Sequence, residues 1–111
     1  MITIDQLNAL GADTADGLKR CLGNETFYLR LVGMAIANDG YEKLRDAIDA
    51  GNLDEAFERA HALKGMLGNV SLTNLLDPVT EMVEELRLRH DIDYSPMLER
   101  LFTELDRLRS L

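Results

Sequence analysis

The chain has no tryptophan, one cysteine and two prolines, and aromatic residues make up only 5% of its 111 residues. A lone Cys21 excludes an internal disulfide, so a reducing, cytoplasmic setting is the simpler expectation. In a helical segment that residue reads as a small buried hydrophobe rather than a catalytic thiol. Positive charge is also scarce. Twelve basic against twenty acidic side chains leave a formal charge of −8, which disfavours nucleic acid and anionic membranes, both of which need basic patches. No apolar run is long enough to span a bilayer, and "MITIDQLNAL" lacks the basic region and apolar stretch of a signal peptide. These absences leave a soluble domain whose partners are other proteins.

What the chain does contain favours helices. Leucine, alanine and methionine supply most of the apolar content, and the length suits one domain over residues 1–111 with a core that needs no disulfide or metal. A short helix fits Asp5 to Leu10, closed by Gly11, and a second is capped by Asp13 or Thr14 and stopped by Gly23. Asn24 caps a third, whose apolar positions Phe27, Leu31, Met34 and Ala35 recur at helical spacing. The pattern resumes through Tyr41, Leu44, Ala47 and Ile48 beyond Asn38-Asp39-Gly40, so the stretch reads as either one long helix with a weak centre there or two helices, and one long helix is the favoured expectation. Asn52 caps the next helix, and a further helix runs from Thr73 or Asn74 to about His90, with Pro78 in or just after its first turn. Ser95-Pro96 reads as a cap and first-turn proline for a last helix that buries Leu98, Leu101, Phe102, Leu105 and Leu108. The expected fold is all-α: an antiparallel four-helix bundle with a short additional N-terminal helix.

The stretch "AHALKGMLGNV", Ala60 to Val70, is the unusual one, because two glycines interrupt a helical pattern. Each costs about 1 kcal/mol relative to alanine. The apolar stripe Leu53, Ala56, Ala60, Leu63, Leu67 and Val70 falls within an arc of about 100°. His61 points roughly 120° from the stripe's centre, on the side shared by Asp54, Phe57, Lys64, Gly65 and Gly68. The expectation is an exposed histidine above a bare patch of helix, with Lys64 one turn away to offset an anion. A neutral imidazole near pH 7 is a competent nucleophile, so the pattern suggests phosphoryl acceptance. Read from the wheel alone, a solvated surface histidine remains the plainer alternative. Phe57 reads first as a boundary core residue and second as a partner contact.

Ala60, His61, Leu63, Lys64, Gly65 and Gly68, with Asn69 after them, resemble the signature of histidine-containing phosphotransfer (HPt) domains, roughly A-H-x-L-K-G-x-x-G-x-x-G. The order of helices is similar from about Thr14 to Arg109, with the acceptor helix at about 53–69. The resemblance departs at Ser71, where many members have glycine; Ser71 is expected to cap the following helix and to leave the nucleophile untouched. Pro78 is also atypical.

The resemblance implies that His61 attacks a receiver domain's aspartyl phosphate through Nε2 and later passes the group on. It implies that Lys64 compensates phosphate charge and that Phe57, Gly65, Gly68 and Asn69 meet the docking receiver. The Mg²⁺ belongs to the partner's acidic pocket, and the chain is expected to hold no cofactor or metal of its own. Implied partners are response-regulator receiver domains and a hybrid sensor kinase, with the chain itself a monomer. With no phosphate-binding glycine loop in the sequence, the domain is expected to be a phosphocarrier that does not phosphorylate itself from ATP. Two alternatives stand beside this reading: a helical domain that binds a receiver without being phosphorylated, and the phosphotransfer domain of a larger sensor kinase. The start at Met1 and the closing helix weigh mildly against the second.

His90 reads as a structural or solvent residue at a helix end, and Glu81, Glu84 and Glu85 as a solvated acidic face. Met34, Met66, Met82 and Met97 read as core or boundary filler.

Overall fold

The computed structural model describes residues 1–111 and is entirely helical. Helix α1 (Ile4–Ala9) starts at a reciprocal cap, in which Thr3 Oγ1 accepts from the Gln6 amide and the Gln6 side chain accepts from the Thr3 amide. Helices α2 (Thr14–Arg20), α3 (Glu25–Ala37), α4 (Gly40–Asp49) and α5 (Leu53–Val70) follow, then α6 (Thr73–Arg87) and α7 (Ser95–Arg109). Asp13, Asn24 and Asn52 cap α2, α3 and α5 as their sequence positions indicate, each accepting a first-turn amide at 3.0–3.1 Å. The single N-terminal addition of the expected bundle is two short helices, α1 and α2.

Helix α5 lies at the centre, packed chiefly on α6 and α4, while α6 packs on α7. The connections 50–52, 71–72 and 88–94 are short, which makes sequential neighbours antiparallel. Ala56, Ala60, Leu63, Leu67 and Val70 are buried, so the α5 stripe faces the core as its spacing requires, with Leu53 half-buried at the entry. Opposite it stand Leu75, Val79, Met82, Val83 and Leu86 of α6 and Leu101, Leu105 and Leu108 of α7. Each fully buried leucine contributes about 1.5–3 kcal/mol. Leu98 and Phe102 sit at the boundary, as do Met66 and Met97.

Four local readings change. The long helix expected from Asn24 to Gly51 is broken: Asn38 is extended (φ −62°, ψ 139°), and its side-chain oxygen accepts from the Gly40 amide at 2.7 Å. Arg109 of α7 closes the gap, donating to the carbonyls of Ile36 (3.0 Å) and Asn38 (3.1 Å) and pairing with Glu42 (2.6 Å). The carbonyls that a continuous helix would satisfy internally are thus satisfied from the far end of the chain.

The buried face of α3 is also rotated, running Tyr28, Val32, Ala35 and Ile36, so that Phe27 and Met34 are exposed. Nearly every position of α3 is apolar, so its periodicity does not fix a face. Helix α7 begins one residue earlier than Ser95 as a cap would require: Tyr94 is the cap residue, buried with its hydroxyl donating to the His90 carbonyl. Asp93 supplies the capping oxygen to the Ser95 amide, and hydrogen bonding from Ser95, its side chain first and its amide second, holds the Asp93 carboxyl below the usual carboxylate range.

Finally, Ser71 does not cap α6 but is the C-cap of α5. It closes α5 in the left-handed conformation (φ 53°, ψ 39°), which costs a non-glycine residue roughly 1–2 kcal/mol. Helix α6 starts from Leu72 with no side-chain cap and ends at Arg87, short of His90. Pro78 is buried in its second turn.

Candidate functional site

His61 is exposed on the outer face of α5, roughly 120° around the helix from the centre of the buried stripe. Its ring stacks on Phe57, one turn earlier, with centroids 5.6 Å apart and planes at 29°. Phe57 is half-buried, so it is both a boundary residue and the floor beneath the imidazole. His90, by contrast, is tied through Nδ1 to Glu85 at 2.7 Å, whereas no side chain or carbonyl of the chain bonds either nitrogen of His61. A ring held from below with both nitrogens free suits a nucleophile that needs a lone pair at the surface.

C-terminal to His61 the helix surface is bare. A Cβ on Gly65 or Gly68 would meet no atom within 4 Å, so neither glycine is required by packing inside the chain. His61, Lys64, Gly65, Gly68 and Asn69 together line a shallow polar depression of about 310 Å³. A larger groove of about 770 Å³ lies among α1, α6 and α7, and α5 contributes nothing to it. The depression beside His61 is too open and too polar to enclose a small ligand, which normally needs a concave apolar pocket. It suits instead a surface completed by a protein partner.

Although the chain as a whole is acidic, four of its twelve basic side chains border this face. Lys64 forms no ion pair, and Arg20 of α2 lines the same depression. On the other side of the histidine, Arg89 and Arg87 lie over the Phe57 ring at 4.7 and 5.7 Å, Arg89 also pairing with Asp54 at 2.6 Å. The sequence reading brought together His61, Lys64, Gly65, Gly68 and Asn69 and put Phe57 on the same side; its stacking under the imidazole is seen only in the structure. It missed Arg20 of α2, Arg87 of α6 and Arg89 of the α6–α7 connection, which reach the face from elsewhere in the chain.

No group of three or more His, Cys, Asp or Glu side chains is arranged to hold a metal ion, and no helix is long and apolar enough to cross a membrane. Cys21 is buried, as its helical context indicates.

The end of α5 is held by the N-terminal helices. Tyr28 donates its hydroxyl to the Val70 carbonyl at 2.9 Å, and burial pushes that phenol up to about 12. The Asp13 amide donates to the Ser71 carbonyl at 2.9 Å, and the Ser71 hydroxyl donates to Asp16 at 2.6 Å.

Compared with known proteins, the chain matches the family model described as Hpt domain over residues 37–111. That stretch runs from the α3–α4 break to the C-terminus and contains all of α5. No curated protein and no solved structure matches the chain.

Proposed function

The chain belongs to the Hpt domain family, and we propose that His61 is the residue through which it carries a phosphoryl group in a phosphorelay. The single observation that supports this best is an exposed imidazole, free at both nitrogens, beside two glycines that no internal contact requires.

In this reading a receiver domain presents an aspartyl phosphate, together with its own Mg²⁺, to the bare face of α5. The Nε2 lone pair attacks phosphorus in line; an N–P bond forms, the P–O bond to the receiver's carboxylate breaks, and the carboxylate leaves with the electron pair. The imidazole proton stays on Nδ1 until the reverse step regenerates neutral histidine. Lys64 offsets the charge of the transferred group, and Gly65 and Gly68 let the receiver's surface come within bonding distance. Phe57 holds the ring so that little rotamer freedom is lost on docking. Asn69 borders the docking face. The cations around His61 draw an acidic receiver pocket toward a chain whose net charge would otherwise repel it. The partners are receiver domains, that of a hybrid sensor kinase among them, and the chain acts as a cytoplasmic monomer drawing no phosphate from ATP.

Incubation with a phosphorylated receiver and Mg²⁺ tests this. The protein is expected to gain an acid-labile, base-stable phosphoryl adduct, and His61→Gln is expected to gain none. If the variant labels as well as the wild type, His61 is not the acceptor.

A further inference from the structure

Ser71 adopts a backbone conformation that glycine takes without strain, so its side chain must return something for being there. Its hydroxyl crosses to α2 and donates to Asp16 Oδ2 at 2.6 Å, a contact between residues 55 positions apart. The same Oδ2 accepts from Arg20 Nε at 2.8 Å. Arg20 lines the depression with His61, Lys64, Gly65, Gly68 and Asn69. Only its Nε is engaged; both terminal nitrogens are without an acceptor in the chain. A guanidinium anchored at Nε and free at its two outer nitrogens presents the planar fork that grips tetrahedral oxyanions.

Resting on the assignment of His61 above, we propose that Arg20 is a second cation of the phosphoryl site, with Asp16 and Ser71 as the positioning residues that aim it. An ordinary surface i, i+4 pair between Asp16 and Arg20 would need no third partner. Here the carboxylate is fixed from the opposite side by a residue at the end of the acceptor helix itself, so the guanidinium is indexed to α5 and not merely to α2. The Ser71 hydroxyl first, and Arg20 second, hold the Asp16 carboxyl below the usual range, so the tether stays charged throughout the neutral range. Residues 1–36 lie outside the stretch matched to the family, so the relay joins a segment beyond that match to the matched acceptor helix.

The test uses the ionisation of the phosphoryl group itself. In a His90→Gln background, the protein is phosphorylated chemically with phosphoramidate, which needs no receiver, and the ³¹P signal is titrated from about pH 5 to pH 9. A nearby guanidinium favours the dianion, so Arg20→Gln is expected to raise the phosphoryl pKa by about half a unit. Ser71→Gly is expected to move it the same way, because a released Asp16 no longer aims Arg20. Lys19→Gln removes the same charge next door and is expected to leave it in place. Transfer from a phosphorylated receiver is expected to slow about three- to fivefold in Arg20→Gln and Ser71→Gly, the effect of one exposed charge contact. Equal phosphoryl pKa values in Arg20→Gln and Lys19→Gln overturn the assignment of Arg20. A Ser71→Gly value equal to wild type overturns the tether, since a purely structural Ser71 would alter melting and leave the phosphoryl group unmoved. Failure of the wild type to accept from any receiver counts against the proposed function alone, because the ³¹P titration still decides the role of Arg20.

Discussion

Gly17 in α2 and Gly65 and Gly68 in α5 are all glycines within helices, yet their surroundings are opposite. A Cβ on Gly17 would lie 2.6 Å from Cζ and 2.8 Å from the hydroxyl oxygen of Tyr28, a ring that is completely buried. On Gly65 or Gly68 it would touch nothing. One glycine is explained from within, because α2 cannot approach α3 otherwise. The other two have no explanation inside the molecule, and under the proposed function the receiver that docks beside His61 gives their cost to the helix a purpose. Gly33 in α3 keeps this inference disciplined: it too faces open space, but no nucleophile stands beside it. Emptiness marks a site only when chemistry adjoins it.

Substitutions can break the comparison or sharpen it. The largest effect belongs to Gly17→Ala, which forces the Tyr28 ring aside and strains its bond to the Val70 carbonyl. A loss of about 2 kcal/mol, or about 10 °C in thermal melting followed by circular dichroism, is expected. An unchanged melting point would mean that the α2–α3 contact yields easily and that the two kinds of glycine differ less than their geometry suggests.

Next come Gly65→Ala and Gly68→Ala, expected to stabilise by up to about 1 kcal/mol each while slowing phosphoryl transfer. Gly33→Ala should bring the same gain in chemical denaturation with transfer unaltered. If all three variants transfer alike, the bare face of α5 is not where the receiver docks.

The smallest effect is on acid stability and concerns a purely internal contact. The Arg109 side chain bonded to Glu42 holds that carboxyl below the ordinary glutamate range. A depressed folded-state value means the stabilisation is fully present above the unfolded-state value and fades as pH falls through the folded one. The stability difference between wild type and Glu42→Gln should therefore be constant from pH 7 to about pH 5 and shrink toward pH 3. A difference that does not shrink would show that the contact is not ionic.

The α5 face was legible in the sequence because a single amphipathic helix, with its cap at Asn52, fixes its own phase. His61, Lys64 and the two glycines could be placed from spacing alone. Helix α3 could not, since apolar residues surround it and only Tyr28 and Tyr41, bonding to Val70 and Ala35, show which side faces inward. The break after Ala37 was visible only as a weak centre at Asn38-Asp39-Gly40, because the Arg109 guanidinium that stabilises it is supplied from the last helix. Ser71 was visible as a departure from the glycine of similar sequences, but its partner Asp16 is 55 residues away. Local pattern carries local phase; it does not carry contacts that only the assembled bundle creates.

The ties between the N-terminal helices and the end of α5 bear on where this module can be cut. A fragment beginning at residue 37, where the family match begins, would discard Leu7, Tyr28, Val32, Ala35 and Ile36 from the core. It would also remove the Tyr28 hydroxyl from the Val70 carbonyl and the Asp13 amide from the Ser71 carbonyl. The recognisable portion of this chain is therefore smaller than its cooperative unit, and any fusion or transplant of the acceptor helix must carry α1, α2 and α3 with it.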